Sequence, residues 1–177
     1  PAEWDLICWD APGYGGSDHI AAEFPTPSDY AERLEDLVDA LGLSQFYLLG
    51  HSLGAVFSVS YAASHSDKVK GLILLAPAEG YGMPAGGPLP AKAQKRLDDL
   101  QRLGIARFAK ERASNLVMEP ESNPATVAAV QSAMAAINFH GYAQAVQNPH
   151  HGLPHLWENT VHDALNEKSC FGKHVNN

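Results

Sequence analysis

The stretch Phe46-Tyr47-Leu48-Leu49-Gly50-His51-Ser52-Leu53-Gly54 decides how the chain is read. Four apolar residues in a row, closed by a glycine, have the length and content of a buried strand. Leu53 to about His65 then carries small and apolar residues on most faces, as a helix pressed against a sheet does. Ser52 therefore stands on a sharp strand-to-helix turn. Side chains two residues to either side would crowd such a bend, and Gly50 and Gly54 remove them. The turn lifts the Ser52 hydroxyl above the C-terminal edge of the sheet, where open α/β sheets hold their ligands.

Outward from this turn the same alternation continues. Upstream, Tyr30, Leu34, Leu37, Val38 and Leu41 fall at helical spacing, opened by Thr26, Pro27 and Ser28 and closed by Gly42. Downstream, Val69 to Ala76 reads as a strand stopped by Pro77. Leu6-Ile7-Cys8-Trp9 is a further short apolar run, ending at Asp10 and feeding the loop Ala11-Pro12-Gly13-Tyr14-Gly15-Gly16-Ser17. Strand, helix, strand, helix, strand predicts an α/β fold of parallel strands with helices on the sheet faces.

Residues 79–90 hold four Gly and three Pro, the composition of a loop or hinge. Residues 91–147 read as helical throughout. Leu97, Leu100, Leu103 and Ile105 lie near helical spacing, followed by Phe108, and Val127, Val130, Met134 and Ile137 follow the start signal Asn123-Pro124. The last thirty residues carry five of the nine histidines, five of the eight asparagines and one of the 26 alanines, and neither period survives there. The predicted division is a core at 1–78, a helical cap at 79–147 and an irregular His- and Asn-rich tail at 148–177. No internal repeat is visible.

Composition bounds the partners. With 45% hydrophobic and 18% charged residues over 177, the balance is that of a globular domain. A net charge of −8 with no basic run disfavours nucleic acid and anionic membrane surfaces. Apolar runs are far below bilayer-spanning length. Two cysteines, Cys8 and Cys170, build no disulfide framework, and a cytoplasmic location is expected. Cys8 reads as a small core hydrophobe and Cys170 as an exposed thiol.

The chemistry rests on Gly50-His51-Ser52-Leu53-Gly54. A Gly-x-Ser-x-Gly match between strand and helix has the setting of a nucleophile elbow. Ser52 lies at a helix N-terminus, whose free N–H groups favour a developing oxyanion. A serine hydroxyl is a weak nucleophile at neutral pH without an imidazole beside it.

These segments resemble the α/β-hydrolase fold superfamily, and within it the enol-lactonase-like esterases, lactonases and carbon–carbon hydrolases. Asp10 to Ser17 is similar to the family's turn after its fourth strand, and Gly50 to Gly54 matches the elbow after its fifth. Val69 to Ala76 resembles the sixth strand and residues 79–147 the helical cap, with Asn138 to Val146 similar to the cap's last helix. The resemblance covers residues 1 to about 147. It implies a partial hydrolase sheet of parallel strands with flanking helices, incomplete at both ends. The family order of serine, acid, histidine puts acid and base after the cap, where neither expected strand is recognisable. A second oxyanion donor and a strand between those at Leu6 and Phe46 are implied before Pro1.

On that resemblance the expected activity is cleavage of a small carboxylic ester, lactone or related acyl substrate through an acyl-enzyme on Ser52. The Leu53 backbone N–H is one oxyanion donor, and no cofactor or metal is implied. A catalytically incomplete remnant, at most a scaffold for a small ligand, is the alternative. A histidine-rich metal-binding module is a third reading.

Other residues carry plainer readings. His51 fills the variable elbow position and is expected to point away from the substrate side. His140 is a surface or rim residue. His162 with Asp163, or His174, are candidates for the missing base, though neither follows a strand. His151 and His155 have metal-ligand spacing, but Gly152 and Pro154 oppose a regular helix there. Glu79 is a candidate acid beyond the third strand. Asp10, Ser17 and Asp18 read as turn-stabilising residues whose side chains accept backbone N–H bonds.

Overall fold

The computed structural model describes residues 4–78, Tyr81 and 86–147. Its elements run α1 (Pro27–Ala40), β1 (Phe46–His51), α2 (Leu53–Ser64), β2 (Val69–Leu75), α3 (Ala91–Leu103), α4 (Ile105–Ala113), a 3-10 turn (Ser114–Leu116), α5 (Pro124–Ala135) and α6 (Phe139–Gln147). The described residues fall into two compact units. One holds residues 27–78; the other joins 4–26 to 86–147. The expected tail at 148–177 lies outside the described residues.

In the unit at 27–78, the helical period predicted from Tyr30 onward forms α1 and buries Tyr30, Ala31, Leu34 and Val38. The helix closes with Gly42 N–H donating to Asp39 O and Leu43 N–H to Val38 O, each at 3.0 Å. That is the Schellman arrangement, which satisfies carbonyls left over at a helix end. Leu41 lies past the helix and is exposed, because the stripe outlasts the element by one residue. α2 buries every residue from Ala55 to Tyr61. It packs on α1 through the stacked rings of Tyr30 and Phe57, 4.0 Å apart and 4° from parallel.

β1 and β2 pair in parallel, with Leu48 opposite Leu72, Leu49 opposite Ile73 and His51 opposite Leu75. α2 makes the crossover between them, as a parallel pair requires. Side chains alternate between faces along a strand. Gly50 lies against α2, whereas Tyr47, Leu49, Ile73 and Leu75 are between 46% and 56% exposed. At the other end of α2 a polar cluster ties the helices to β2. Tyr61 Oη donates to Glu35 Oε2 at 2.6 Å, while Lys68 Nζ pairs with Glu35 and, at 2.9 Å, with Asp39.

In the other unit, residues 91–147 carry four helices, but not helix throughout as the spacing predicts: the chain breaks at Gly104 and runs non-helical over 117–123 and 136–138. Leu100, Phe108 and Ile137 form a buried cluster, with Tyr14, Leu103, Ile105, Met134 and Tyr142 packed against it. Tyr14 comes from the glycine-rich turn, so this turn is an integral part of the helical core. α6 docks on the same segment. Gly13 and Gly141 approach so closely that a Cβ on Gly141 would lie 2.2 Å from Gly13 Cα. Gln144 Nε2 donates to the carbonyls of Ile20 and Ala22 at 2.8 and 2.7 Å.

The strand expected at Leu6–Trp9 does not form. Leu6 is 85% exposed and Ile7 51%, and the run has no ladder partner among the described residues. A strand is defined by the backbone groups it pairs with, and apolar content alone supplies none. Cys8, expected in the core, is consequently exposed, with a free thiol.

Candidate active site

Ser52 occupies the single residue between β1 and α2. Its backbone has φ 53° and ψ −116°, a combination that residues with a side chain rarely adopt. The residue is exposed. Although it takes the N-cap position of α2, its side chain makes no capping hydrogen bond. The hydroxyl therefore stands at a helix N-terminus without serving the helix, where N-cap serines ordinarily do.

Crowding at the turn falls on Gly50. A Cβ there would meet Gly54 O and Ser58 Oγ at 2.6 Å and Ala55 Cα at 2.7 Å. Gly54 differs from the expectation. A Cβ there meets no described atom within 4 Å, because its position in the first turn of α2 points away from β1. The tight turn thus explains Gly50 and leaves Gly54 without a steric reason. Leu53 is the first residue of α2 and half-buried. Its N–H belongs to the helix's first four, which have no intrahelical acceptor. His51, the last residue of β1, is exposed and pairs in register with Leu75.

The strand exit beside the turn is a feature that sequence reasoning missed. Ser52 N–H donates to Leu75 O at 2.9 Å, and Ser52 O accepts from Ala55 N–H and Ala78 N–H, each at 3.1 Å. Ala76, between those partners, also has a positive φ, 41°. Alanines at 76 and 78 carry no functional group, and a backbone contact leaves no mark in composition.

The remaining candidates are scattered. Asp10 and Ser17 stabilise their turn differently from expectation: Ser17 Oγ donates to the Asp10 carbonyl at 2.7 Å instead of accepting an N–H. The Asp10 carboxylate lies over Gly15, where a Cβ would stand 2.1 Å from Oδ2. His140 is exposed, its ring 4.6 Å from that of His19 in an edge-on contact. Glu79, His151, His155, His162, Asp163, Cys170 and His174 lie outside the described residues. Among the described residues no three His, Cys, Asp or Glu side chains gather as a metal site, and no helix is long and apolar enough to cross a membrane.

Residues 1–116 match the α/β hydrolase fold family. The chain belongs to that family. It is 34% identical over 101 residues to a 2-hydroxy-6-oxononadienedioate/2-hydroxy-6-oxononatrienedioate hydrolase of Escherichia coli O139:H28, a match covering 57% of this chain and 35% of that protein. An enol-lactonase from Burkholderia xenovorans LB400 superposes with a TM-score of 0.65 at 20% identity, over 80% of this chain and 53% of the other. An esterase from Exiguobacterium antarcticum gives 0.64 at 20%, over 90% and 57%. Identities this low speak for the fold. The chain spans about a third of the curated relative and about half of each solved structure.

Proposed function

We propose that the chain carries the nucleophile of a serine hydrolase acting on a small carboxylic ester, lactone or related acyl substrate. The observation that carries this reading is Ser52 itself: exposed, held at φ 53° between β1 and α2, its hydroxyl unused by the helix it begins. Non-glycine residues keep such backbone only where surrounding structure over-determines it, and such positions cluster at functional sites. The hydrolase, enol-lactonase and esterase names of the relatives agree with it.

In this reading Ser52 Oγ attacks the acyl carbonyl. The Leu53 N–H donates to the oxygen as it gains negative charge. The new Oγ–acyl bond forms as the bond to the leaving group breaks, the serine proton departs with that group, and water then releases the acid. The proton passes through a base, for which His162 with Asp163 and His174 are the sequence candidates. Residues 79–147 are read as the helical cap, and the protein as cytoplasmic.

A fluorophosphonate probe tests the reading, since it captures a serine primed to attack. Labelling of the full chain that disappears in Ser52→Ala is the expected result. Folded parent protein that takes up no probe overturns it.

A further inference from the structure

The peptide between Ser52 and Leu53 has two ends. Its N–H is the oxyanion donor of the proposed function, on which this inference rests. Its carbonyl accepts from Ala55 N–H and Ala78 N–H, each at 3.1 Å. A trans peptide is planar, with its C=O and N–H pointing opposite ways. Whatever aims the carbonyl therefore aims the N–H.

The two donors are not equivalent. Ala55 belongs to α2 and moves with Leu53, so its bond leaves the turn free to swing as a piece with the helix. Ala78 lies beyond the end of β2 and ties the peptide to the neighbouring strand. The preceding peptide is tied to the same segment, through Ser52 N–H and Leu75 O at 2.9 Å. Both peptide planes flanking the Ser52 Cα are thus anchored to residues 75–78. Ala76, with φ 41°, turns the chain so that Ala78 N–H comes back to Ser52.

We infer that the Ala78 backbone N–H is a positioning group for the Leu53 oxyanion donor. It holds the Ser52–Leu53 peptide at the angle that directs the N–H toward a developing oxyanion. Hydrogen bonds in series also polarise one another, so donation to the carbonyl strengthens the N–H as a donor. A structural tie would affect stability alone. A positioning group affects the rate at which bound probe reacts.

Ala78→Pro deletes the N–H, and Ala78→Gly keeps it. The full chain and both variants are treated with a fluorophosphonate, separating the maximal inactivation rate from the concentration giving half of it. The expected result for Ala78→Pro is a maximal rate lower by about tenfold or more, short of the roughly hundredfold cost of losing an oxyanion donor outright, because the donor is misaimed and still present. Its half-saturating concentration stays within about twofold of the parent, marking a loss confined to the reacting state. Ala78→Gly behaves as the parent. A folded Ala78→Pro protein reacting at the parent rate overturns the inference.

Where Ala78→Pro does not fold, an amide-to-ester replacement of the Pro77–Ala78 peptide decides, since it deletes the same N–H without the proline ring. A lower maximal rate at unchanged half-saturation supports the positioning role, and a parent-like rate overturns it. A parent chain unlabelled at Ser52 is a different failure, because it removes the serine-hydrolase reading itself.

Discussion

Ser52 and Ala76 occupy matching positions, each one residue beyond the last rung of the sheet, where His51 faces Leu75. Both have a left-handed φ, 53° and 41°. The two strands of the pair thus end in the same kind of strained residue, joined through Ser52 N–H to Leu75 O and Ala78 N–H to Ser52 O.

At Ala76 the side chain carries no functional group, so the strain can be tested by removing it. Ala76→Gly relieves the clash of Cβ with the following carbonyl, worth about 1–2 kcal/mol. The greater freedom of glycine in the unfolded chain offsets part of this, about 0.4–1 kcal/mol. A net gain is expected, read as a higher urea midpoint at unchanged slope. A lower midpoint would show that the left-handed conformation at 76 is wrong.

Gly50 and Gly54 separate the steric from the conformational use of glycine. Gly50→Ala drives a Cβ into backbone atoms of α2, with a loss of about 1–3 kcal/mol on the scale of overpacked sites. Gly54→Ala meets open space within a helix, and a gain of about 0.5–1 kcal/mol is expected from helix propensity. Equal responses in denaturant unfolding would sink the distinction.

Tyr30 is fully buried between α1 and α2, and its hydroxyl has no hydrogen-bond partner among the described residues. Tyr30→Phe removes a buried group without a bond, so stability is expected to hold or rise by about 1 kcal/mol. Burial, aided by the charge of Asp29, pushes the hydroxyl pKa up from 10.0 to about 12. The folded state then keeps a proton that the unfolded state loses. Stability is therefore complete below pH 10 and declines as pH rises toward 12. Tyr30→Phe should flatten that decline in a series of alkaline melts.

Glu35 gives the acid counterpart. Hydrogen bonds from Lys68 and then Tyr61 hold its carboxyl below the ordinary carboxylate range. A lowered pKa means that the folded state resists protonation, so the stabilisation exists above the ordinary value of 4.5 and is lost as pH falls through the lowered one. Glu35→Gln should shift acid unfolding less steeply with pH than the parent. Tyr61→Phe removes a bond to a charged group and should cost about 1.5–3 kcal/mol at neutral pH. A neutral-pH midpoint unchanged by Tyr61→Phe would count against the Glu35 contact.

Elements whose stabilisation is local were legible in the sequence. α1 followed from the spacing of Tyr30, Leu34 and Val38, and the Ser52 turn from Gly50 between an apolar run and a small-residue helix. Leu6–Trp9 was misread because its composition is that of a strand, while pairing depends on a backbone elsewhere. Ser17 was assigned to the right turn but donates where it was expected to accept, since a hydroxyl can serve as either, and its partner at Asp10 is the backbone carbonyl. The contributions of Ala76 and Ala78 were invisible for a deeper reason. They act through a backbone angle and a peptide N–H, which no side chain at these positions announces.

The Glu35–Tyr61–Lys68 cluster lies at the far end of α2 from Ser52, roughly 14 Å along the axis at 1.5 Å per residue. The acid-sensitive contact and the proposed nucleophile are therefore lodged at opposite poles of one short rod. Selection or engineering can retune one pole for a harsher medium while the other keeps its habits, because the two share no side chain.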